Sequence, residues 1–215
     1  MILLFDLDGT LIDSTEAILE SFHNSFDVLG HPHPEDEEII KLIGYPLDIM
    51  YKELGIDANL VDTFVQTYKE HYRKISTQKT VLLKNAKQSI IEASKIAKLG
   101  IVTTKTGRYS QVLMEHFGLM EYFDVLIGRE QVKFPKPNAE PILTALKSFN
   151  TTDEEIFMIG YTKLDLVSAK SAGVKSIGVL SGSGDEKTLR SYTNMVFDDT
   201  LSAINYLKSR KKPHK

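Results

Sequence analysis

Short apolar runs that alternate with amphipathic stretches are the feature that most constrains the fold of this chain. The predicted strands are residues 2–5, 100–102, 125–127, 156–160, 175–180 and 195–197, the last at a sheet edge. The predicted helices of the same pattern are residues 85–98, 110–117, 139–149, 165–172 and 200–208. Apolar runs followed by helices are typical of β-α-β units, whose parallel sheet is buried on both faces. The pattern therefore predicts an α/β fold with a Rossmann-like parallel-sheet core.

A helical region interrupts this alternation directly after the first strand. Residues 14–80 contain no convincing strand, whereas apolar side chains recur at helical spacing over 14–28 and 60–75. Asp13 and Glu16, three residues apart, suit a capping box at the start of the first helix. We predict a core domain of residues 1–13 and 81–215 that carries an inserted α-helical domain, residues 14–80.

Composition excludes several classes of protein and site. The chain has 215 residues, with Lys+Arg 26 against Asp+Glu 29, and a net charge of 26 − 29 = −3 offers no basic face for nucleic acid. The absence of cysteine excludes thiol nucleophiles, disulfides and cysteine-ligated metals. No apolar run approaches the roughly 20 residues that cross a bilayer, and the N-terminus lacks a signal-peptide pattern. We expect a cytoplasmic protein that binds neither nucleic acid nor a membrane.

Two acidic residues follow the first predicted strand. Asp6 and Asp8 flank Leu7, so the alternation of a strand points both carboxylates in one direction, and Gly9 permits a sharp turn after them. Carboxylates this close repel each other unless a cation or a shared proton relieves them. Mg²⁺ prefers such oxygen ligands and typically binds one or two carboxylates together with a substrate phosphate. The pair therefore suggests a Mg²⁺ site at the end of this strand.

Three further polar points follow later strands. Thr103 and Thr104 offer hydroxyls to an anionic oxygen, Lys136 can neutralise charge on a phosphoryl group, and Asp165 is another carboxylate. Pro137, directly after Lys136, can start the next helix. Each point alone also fits an ordinary role, namely a strand end, a surface lysine and a helix cap. Because ligands of parallel sheets bind outside the carboxyl ends of the strands, the joint placement favours a site for a phosphorylated ligand.

These motifs resemble those of the haloacid dehalogenase-like hydrolase superfamily. The stretch 6–10, Asp-Leu-Asp-Gly-Thr, is similar to its first motif, Asp-x-Asp-Gly-Thr. Thr103 resembles the second motif, Lys136 with Pro137 the third, and Asp165 with residues 169–173 the fourth. The helical insertion is similar to the small cap of the phosphoglycolate phosphatase-like branch.

The resemblance implies a phosphoric monoester hydrolase that acts on a small phosphorylated metabolite, phosphoglycolate-like or a sugar phosphate, through an aspartyl-phosphate. It implies Asp6 as the nucleophile and Asp8 as the general acid and base. It also implies phosphate binding by Gly9, Thr103, Thr104 and Lys136. The Mg²⁺ ligands would be Asp6, the backbone carbonyl of Asp8, and Asp165. The cap would close over the site and select the leaving group.

One residue departs from the family pattern. The fourth motif usually reads Gly-Asp-x-x-x-Asp, but Tyr161 occupies the position of the first acid. A phenol with a pKa of about 10 is a poor Mg²⁺ ligand at neutral pH. We therefore expect weaker metal binding than in relatives. A phosphomutase of the same family, and a catalytically weakened or non-catalytic protein, remain as alternatives.

Overall fold

The fold consists of two compact units. The computed structural model describes residues 1–149 and 154–211, so part of the predicted core domain, which ends at residue 215, lies outside the described residues. One unit comprises Met1–Ile12 with Leu82–Lys215, and the other comprises Asp13–Val81. Over the described ranges, no helix is long and apolar enough to span a membrane.

The first unit is built on a parallel sheet. The strands of the chain are β1 (Ile2–Phe5), β2 (Ile12–Asp13), β3 (Val81–Leu82), β4 (Lys98–Val102), β5 (Val125–Ile127), β6 (Ile156–Gly160), β7 (Lys175–Val179) and β8 (Val196–Phe197). Within the described residues, six of them form a sheet in the order β5-β4-β1-β6-β7-β8, with parallel pairing throughout. The short strands β2 and β3 pair separately where the chain passes between the units. The predicted α/β class with a parallel sheet is confirmed.

Helices complete the two units. They are α1 (Thr15–Leu29), α2 (Asp36–Leu42), α3 (Leu47–Glu53), α4 (Val61–Ile75), α5 (Ala86–Ser94), α6 (Gly107–His116), α7 (Glu140–Leu146), α8 (Lys163–Ser171), α9 (Glu186–Arg190) and α10 (Thr200–Lys211). Helix α7 carries a proline, Pro141, in its first turn, so Pro137 does not start it. Two short 3₁₀ helices, Met120–Tyr122 and Arg129–Gln131, flank β5.

Apolar layers cover both faces of the parallel sheet. Leu3 and Phe5 of β1 pack in one buried cluster, which also contains side chains of α5, α6 and α10. Ile2 and Leu4 point to the opposite face and pack in a second cluster with side chains of α7 and α8. This alternation along β1 explains why the strand is apolar at every position, since both of its faces are buried.

The second unit is a helical layer with an aromatic core. Helices α1 and α4 pack together, and Phe22 contacts Tyr51 and Tyr68 with ring centroids 4.6 and 5.1 Å apart. The predicted capping box of Asp13 and Glu16 is wrong. Asp13 accepts a hydrogen bond from the Thr15 amide at 2.9 Å, whereas Glu16 pairs with Lys79 Nζ at 2.7 Å. Glu16, which local spacing predicted to cap the helix, therefore binds a lysine 63 positions away in the sequence.

Candidate active site

The register of the sheet places the ends of three strands side by side. Phe5 at the end of β1 is aligned with Ile101 of β4 and with Ile159 of β6. The next residue, Asp6, donates its backbone amide to the Ile159 carbonyl at 2.9 Å, which continues the ladder by one step. The residues that follow β1, β4 and β6 consequently meet at one edge of the sheet, where ligands of parallel sheets bind.

At this edge, Lys136 joins residues from three strand ends in a buried cluster. Its Nζ atom donates to Asp6 Oδ1 at 2.8 Å, to Asp165 Oδ1 at 2.6 Å and to the Val102 carbonyl at 3.0 Å. Lys136 and Asp6 are each 3% exposed, and Asp165 is fully buried. The structure thus brings together three of the predicted site residues, which lie far apart in the sequence.

Asp165 has two structural roles. Its Oδ2 atom accepts hydrogen bonds from the Thr162 amide at 3.0 Å and the Thr162 hydroxyl at 2.7 Å. The Asp165 amide in turn donates to Thr162 Oγ1 at 3.4 Å, so the two residues form a capping box at the start of α8. A Cβ atom at Gly160 would lie 2.3 Å from Asp165 Cγ, so a residue without a side chain is needed at this close approach. The N-cap of α8 is Thr162 and not Asp165, which is the third residue of the helix, and Asp165 Oδ1 faces Lys136.

Asp8 pairs with a lysine that was not among the predicted site residues. Lys105 Nζ lies 3.2 Å from Asp8 Oδ2, and the two side chains are 9% and 14% exposed. Lys105 follows Thr103 by two positions, and its amide donates to Thr103 Oγ1 at 3.1 Å. Its position in the loop after β4, on the same edge of the sheet as Asp8, is the signal that identifies it.

The other predicted phosphate-binding residues line the same edge. Gly9 has φ +71°, donates its amide to the Ile12 carbonyl at 2.8 Å and accepts from Ser181 Oγ at 2.9 Å, so it forms the predicted turn. Thr103 is buried directly after Val102, whose carbonyl binds Lys136. Thr104 follows and is half-buried.

Tyr161 is enclosed beside the carboxylates. It is 2% exposed, and a Cβ atom at Gly9 or Gly182 would lie 2.8 or 2.3 Å from carbons of its ring. The phenol shares a hydrogen bond with the Ser183 side chain. Burial first, and then the charges of Asp6, Asp8 and Asp165, raise the pKa of Tyr161 above its ordinary value. The ring therefore remains neutral at physiological pH.

The buried cluster carries more negative than positive charge. Burial and the neighbouring Asp165 outweigh the attraction of Lys136 and raise the pKa of Asp6 to about 7. Burial favours loss of the Lys136 proton, but the charges of Asp165 and Asp6 outweigh it and raise the pKa of Lys136, so the ammonium stays charged. A further cation near Asp6 would stabilise its ionised form.

The donor chemistry of the cluster fits Mg²⁺, although not as a complete side-chain site. Asp6 Oδ1 and Asp165 Oδ1 both lie within 2.8 Å of one atom, Lys136 Nζ, so they face a common point. Across residues 1–149 and 154–211, no three His, Cys, Asp or Glu side chains are grouped so that they could hold a metal ion. Since Mg²⁺ commonly uses one or two carboxylates, water and substrate oxygens, the two carboxylates suit it.

Comparison with known proteins supplies the family. The family model of the haloacid dehalogenase-like hydrolases matches residues 3–179, most of the chain. The chain belongs to this family. Pyrophosphatase PpaX of Halalkalibacterium halodurans is 34% identical over 178 residues, covering 80% of each protein.

Two solved structures share the fold of this chain. A haloacid dehalogenase-like family hydrolase of Streptococcus pneumoniae superposes with a TM-score of 0.85 at 27% identity, covering 96% of this chain and 97% of the other. A protein of Haemophilus somnus described as a predicted phosphoglycolate phosphatase has a TM-score of 0.85 at 21% identity, covering 98% and 97%, and shares the fold. The predicted family and the predicted hydrolase class are confirmed.

Proposed function

We propose that this haloacid dehalogenase-like hydrolase is a Mg²⁺-dependent phosphatase of a small phosphorylated metabolite, phosphoglycolate-like or a sugar phosphate, with Asp6 as its nucleophile. The observation that carries the proposal is the buried Asp6 carboxylate, held by Lys136 at a strand end with a second acid, Asp8, two residues further on. Carboxylates are established nucleophiles in phosphoryl transfer, and a nearby acid can serve the leaving group.

The residues suit a two-step reaction. Asp6 attacks phosphorus, so that an Asp6–phosphorus bond forms while the bond to the leaving oxygen breaks, and Asp8 gives that oxygen its proton. Asp8 then takes a proton from the water that attacks phosphorus, which releases phosphate and restores Asp6. Lys136 and Thr103 bind the non-bridging oxygens, where negative charge is concentrated in a loose transition state. Lys105, 3.2 Å from Asp8, orients the acid.

Asp6, the Asp8 backbone carbonyl and Asp165 would hold Mg²⁺. When bound, the ion supplies positive charge that offsets the repulsion between a carboxylate and a phosphate. The buried, negatively charged environment of Asp6 supports this assignment, because a carboxylate with its pKa raised to about 7 is only partly ionised at neutral pH without a further cation.

A relative suggests a second candidate substrate. The Halalkalibacterium halodurans protein, 34% identical to this chain, is named a pyrophosphatase, which favours inorganic pyrophosphate as an alternative to a metabolite ester. A phosphomutase is separated from both by its product, because the phosphoryl group returns to a sugar and no free phosphate appears. The cytoplasmic location stays a prediction.

The test is phosphate release from a panel of phosphorylated metabolites, p-nitrophenyl phosphate and inorganic pyrophosphate, with Mg²⁺ or with EDTA. We expect Mg²⁺-dependent release that Asp6→Asn and Asp8→Asn abolish. The matched control is Asp198→Asn, an exposed carboxylate of the same unit, which should retain wild-type turnover. The absence of release from every substrate would support the non-catalytic alternative and contradict the proposal, as would full activity of Asp6→Asn.

A further inference from the structure

The resemblance of the fourth motif to Gly-Asp-x-x-x-Asp implies an acid at position 161, where this chain has a tyrosine. Tyr161 lies between Gly9 and Gly182, where a Cβ atom on either glycine would come within 2.8 Å of the ring. Its phenol is hydrogen-bonded to Ser183, and a phenol carries no charge at neutral pH. With tyrosine at position 161, the buried cluster has two carboxylates, Asp6 and Asp165. It lacks the negative charge and the anionic oxygen ligand that a third carboxylate would provide.

The two remaining carboxylates already have a cation between them. Lys136 Nζ contacts Asp6 Oδ1 and Asp165 Oδ1 at 2.8 and 2.6 Å, and Thr162 binds the other oxygen of Asp165. A Mg²⁺ ion that approached the Oδ1 atoms would have to compete with this ammonium. Two carboxylates whose negative charge is already partly neutralised by an ammonium attract a divalent cation more weakly than two carboxylates without one.

A phosphate group supplies what the free cluster lacks. Its oxygens are preferred Mg²⁺ ligands, which replaces the donor that Tyr161 does not offer. Its negative charge also gives the Lys136 ammonium another anion to contact, so the ammonium can release an aspartate oxygen. Both effects raise the affinity for Mg²⁺ when phosphate is bound. By thermodynamic linkage, bound Mg²⁺ must raise the affinity for phosphate by the same factor.

Given the proposed function, we infer that Tyr161 makes metal binding in this chain depend on phosphate: Mg²⁺ binds weakly to the free protein, and tightly together with a phosphate group. Substrate and metal then bind as a coupled pair rather than metal first. The inference concerns binding alone, so it does not require turnover to be observed.

The direct experiment is calorimetric titration of MgCl₂ into the full-length wild-type protein, with and without inorganic phosphate at matched ionic strength. Inorganic phosphate is a suitable probe because it is the reaction product and no net turnover occurs. We expect phosphate to raise the Mg²⁺ affinity by about tenfold or more, and Mg²⁺ to raise the phosphate affinity by the same factor, within the usual range of coupling between sites. Equal Mg²⁺ affinity in the two titrations would overturn the inference.

Substitutions at Tyr161 assign the coupling to this residue. Tyr161→Asp should raise the affinity of the phosphate-free protein for Mg²⁺ about tenfold and reduce the coupling, because it provides a third carboxylate. Tyr161→Asn is the matched control, since it removes the ring without adding charge and should not gain this affinity. Tyr161→Phe, which keeps the ring, should retain the wild-type coupling. If Tyr161→Asp binds Mg²⁺ no better than Tyr161→Asn, the assignment to Tyr161 is wrong.

The result is separable from the proposed function. If the ring substitutions unfold the protein, as circular dichroism would show, the wild-type titrations and Tyr161→Phe still test the coupling. Coupled binding without phosphatase activity would contradict the proposed function alone. Mg²⁺-dependent turnover with equal Mg²⁺ affinity in the presence and absence of phosphate would contradict the coupling alone.

Discussion

At the scale of single residues, the stability of the site depends most on Lys136. Its ammonium is the group that contacts both Asp6 and Asp165 inside the protein. A buried charge that has lost its partner is far less favourable than the same charge in water, because the interior does not solvate it. The ion pairs therefore matter less for the net stability they add than for the instability that follows when one member is removed.

Lys136→Met tests this point. The substitution leaves two buried carboxylates without their ammonium, and we expect it to lower the free energy of unfolding by about 3–5 kcal/mol at pH 7.5, measured by urea denaturation. The loss should shrink at lower pH as Asp6, whose pKa is raised to about 7, takes up a proton. Lys170→Met, an exposed lysine of α8, serves as the control and should change stability by less than about 0.5 kcal/mol. A similar small effect of Lys136→Met would contradict the buried-cluster account.

Asp6 gives a prediction about pH. The unfolded chain loses the Asp6 proton near pH 4, whereas the folded protein retains it until about pH 7. Between these values the folded state binds more protons than the unfolded state, so the contribution of Asp6 to the free energy of unfolding decreases as pH rises from about 4 to 7. Above about pH 7 that contribution is constant.

The measurement compares wild type with Asp6→Asn by urea denaturation in EDTA across this pH range. Because asparagine does not titrate, the wild type should lose stability relative to Asp6→Asn as the pH rises from 4 to 7. A stability difference that stays constant, or changes in the opposite direction, would show that the pKa of Asp6 is not raised.

At the scale of elements, the N-terminus of helix α6 is capped by a glutamate from another segment of the chain. Glu130 accepts hydrogen bonds from the Gly107 amide through both carboxylate oxygens, at 3.0 and 2.9 Å. The arrangement satisfies an amide that has no partner inside the helix and places a negative charge at the N-terminus. It also connects the helix after β4 to the loop after β5.

Glu130→Ala should lower the free energy of unfolding by about 1 kcal/mol, as loss of an N-terminal helix cap commonly does. Thermal denaturation followed by circular dichroism measures the effect. Glu121→Ala, an exposed glutamate close by, should leave the midpoint nearly unchanged. Equal midpoints for the two variants would mean that the cap contributes nothing measurable.

The elements also show what the sequence predicts well and what it does not. The central strands were predictable because β1 and β6 are short apolar runs, which burial on both faces requires. The capping box at Asp13 failed because Glu16 pairs with Lys79, a partner that no local pattern reveals. Tertiary contacts decide such cases, so helix starts are less predictable than strand cores.

The candidate site also has residues that the sequence predicts and contacts that it does not. Asp6, Asp165 and Lys136 could be placed at one edge because each follows a strand, and parallel strands end together. The contact of Lys105 with Asp8 depends on the conformation of a single loop. The enclosure of Tyr161 depends on Gly9 and Gly182, which come from loops far apart in the chain. Neither could be deduced from spacing.

At the scale of the whole molecule, the described residues proposed for chemistry lie in one of the two compact units. They come from the segments after β1, β4, β5 and β6 and are held together across as many as 130 sequence positions between Asp6 and Lys136. The overall charge of −3 gives no general attraction for an anionic substrate. Local groups, Lys136 and Lys105, must therefore provide the positive charge that a phosphate requires.

In the proposed reaction, Asp6 becomes phosphorylated during turnover. The most direct test is acid quenching of the protein during reaction with its best substrate, followed by peptide mass spectrometry. We predict one phosphoryl group on the peptide that contains Asp6, present only while substrate remains and absent from Asp6→Asn. Sustained phosphate release with no phosphorylated peptide, or with the phosphoryl group on another residue, would contradict the account.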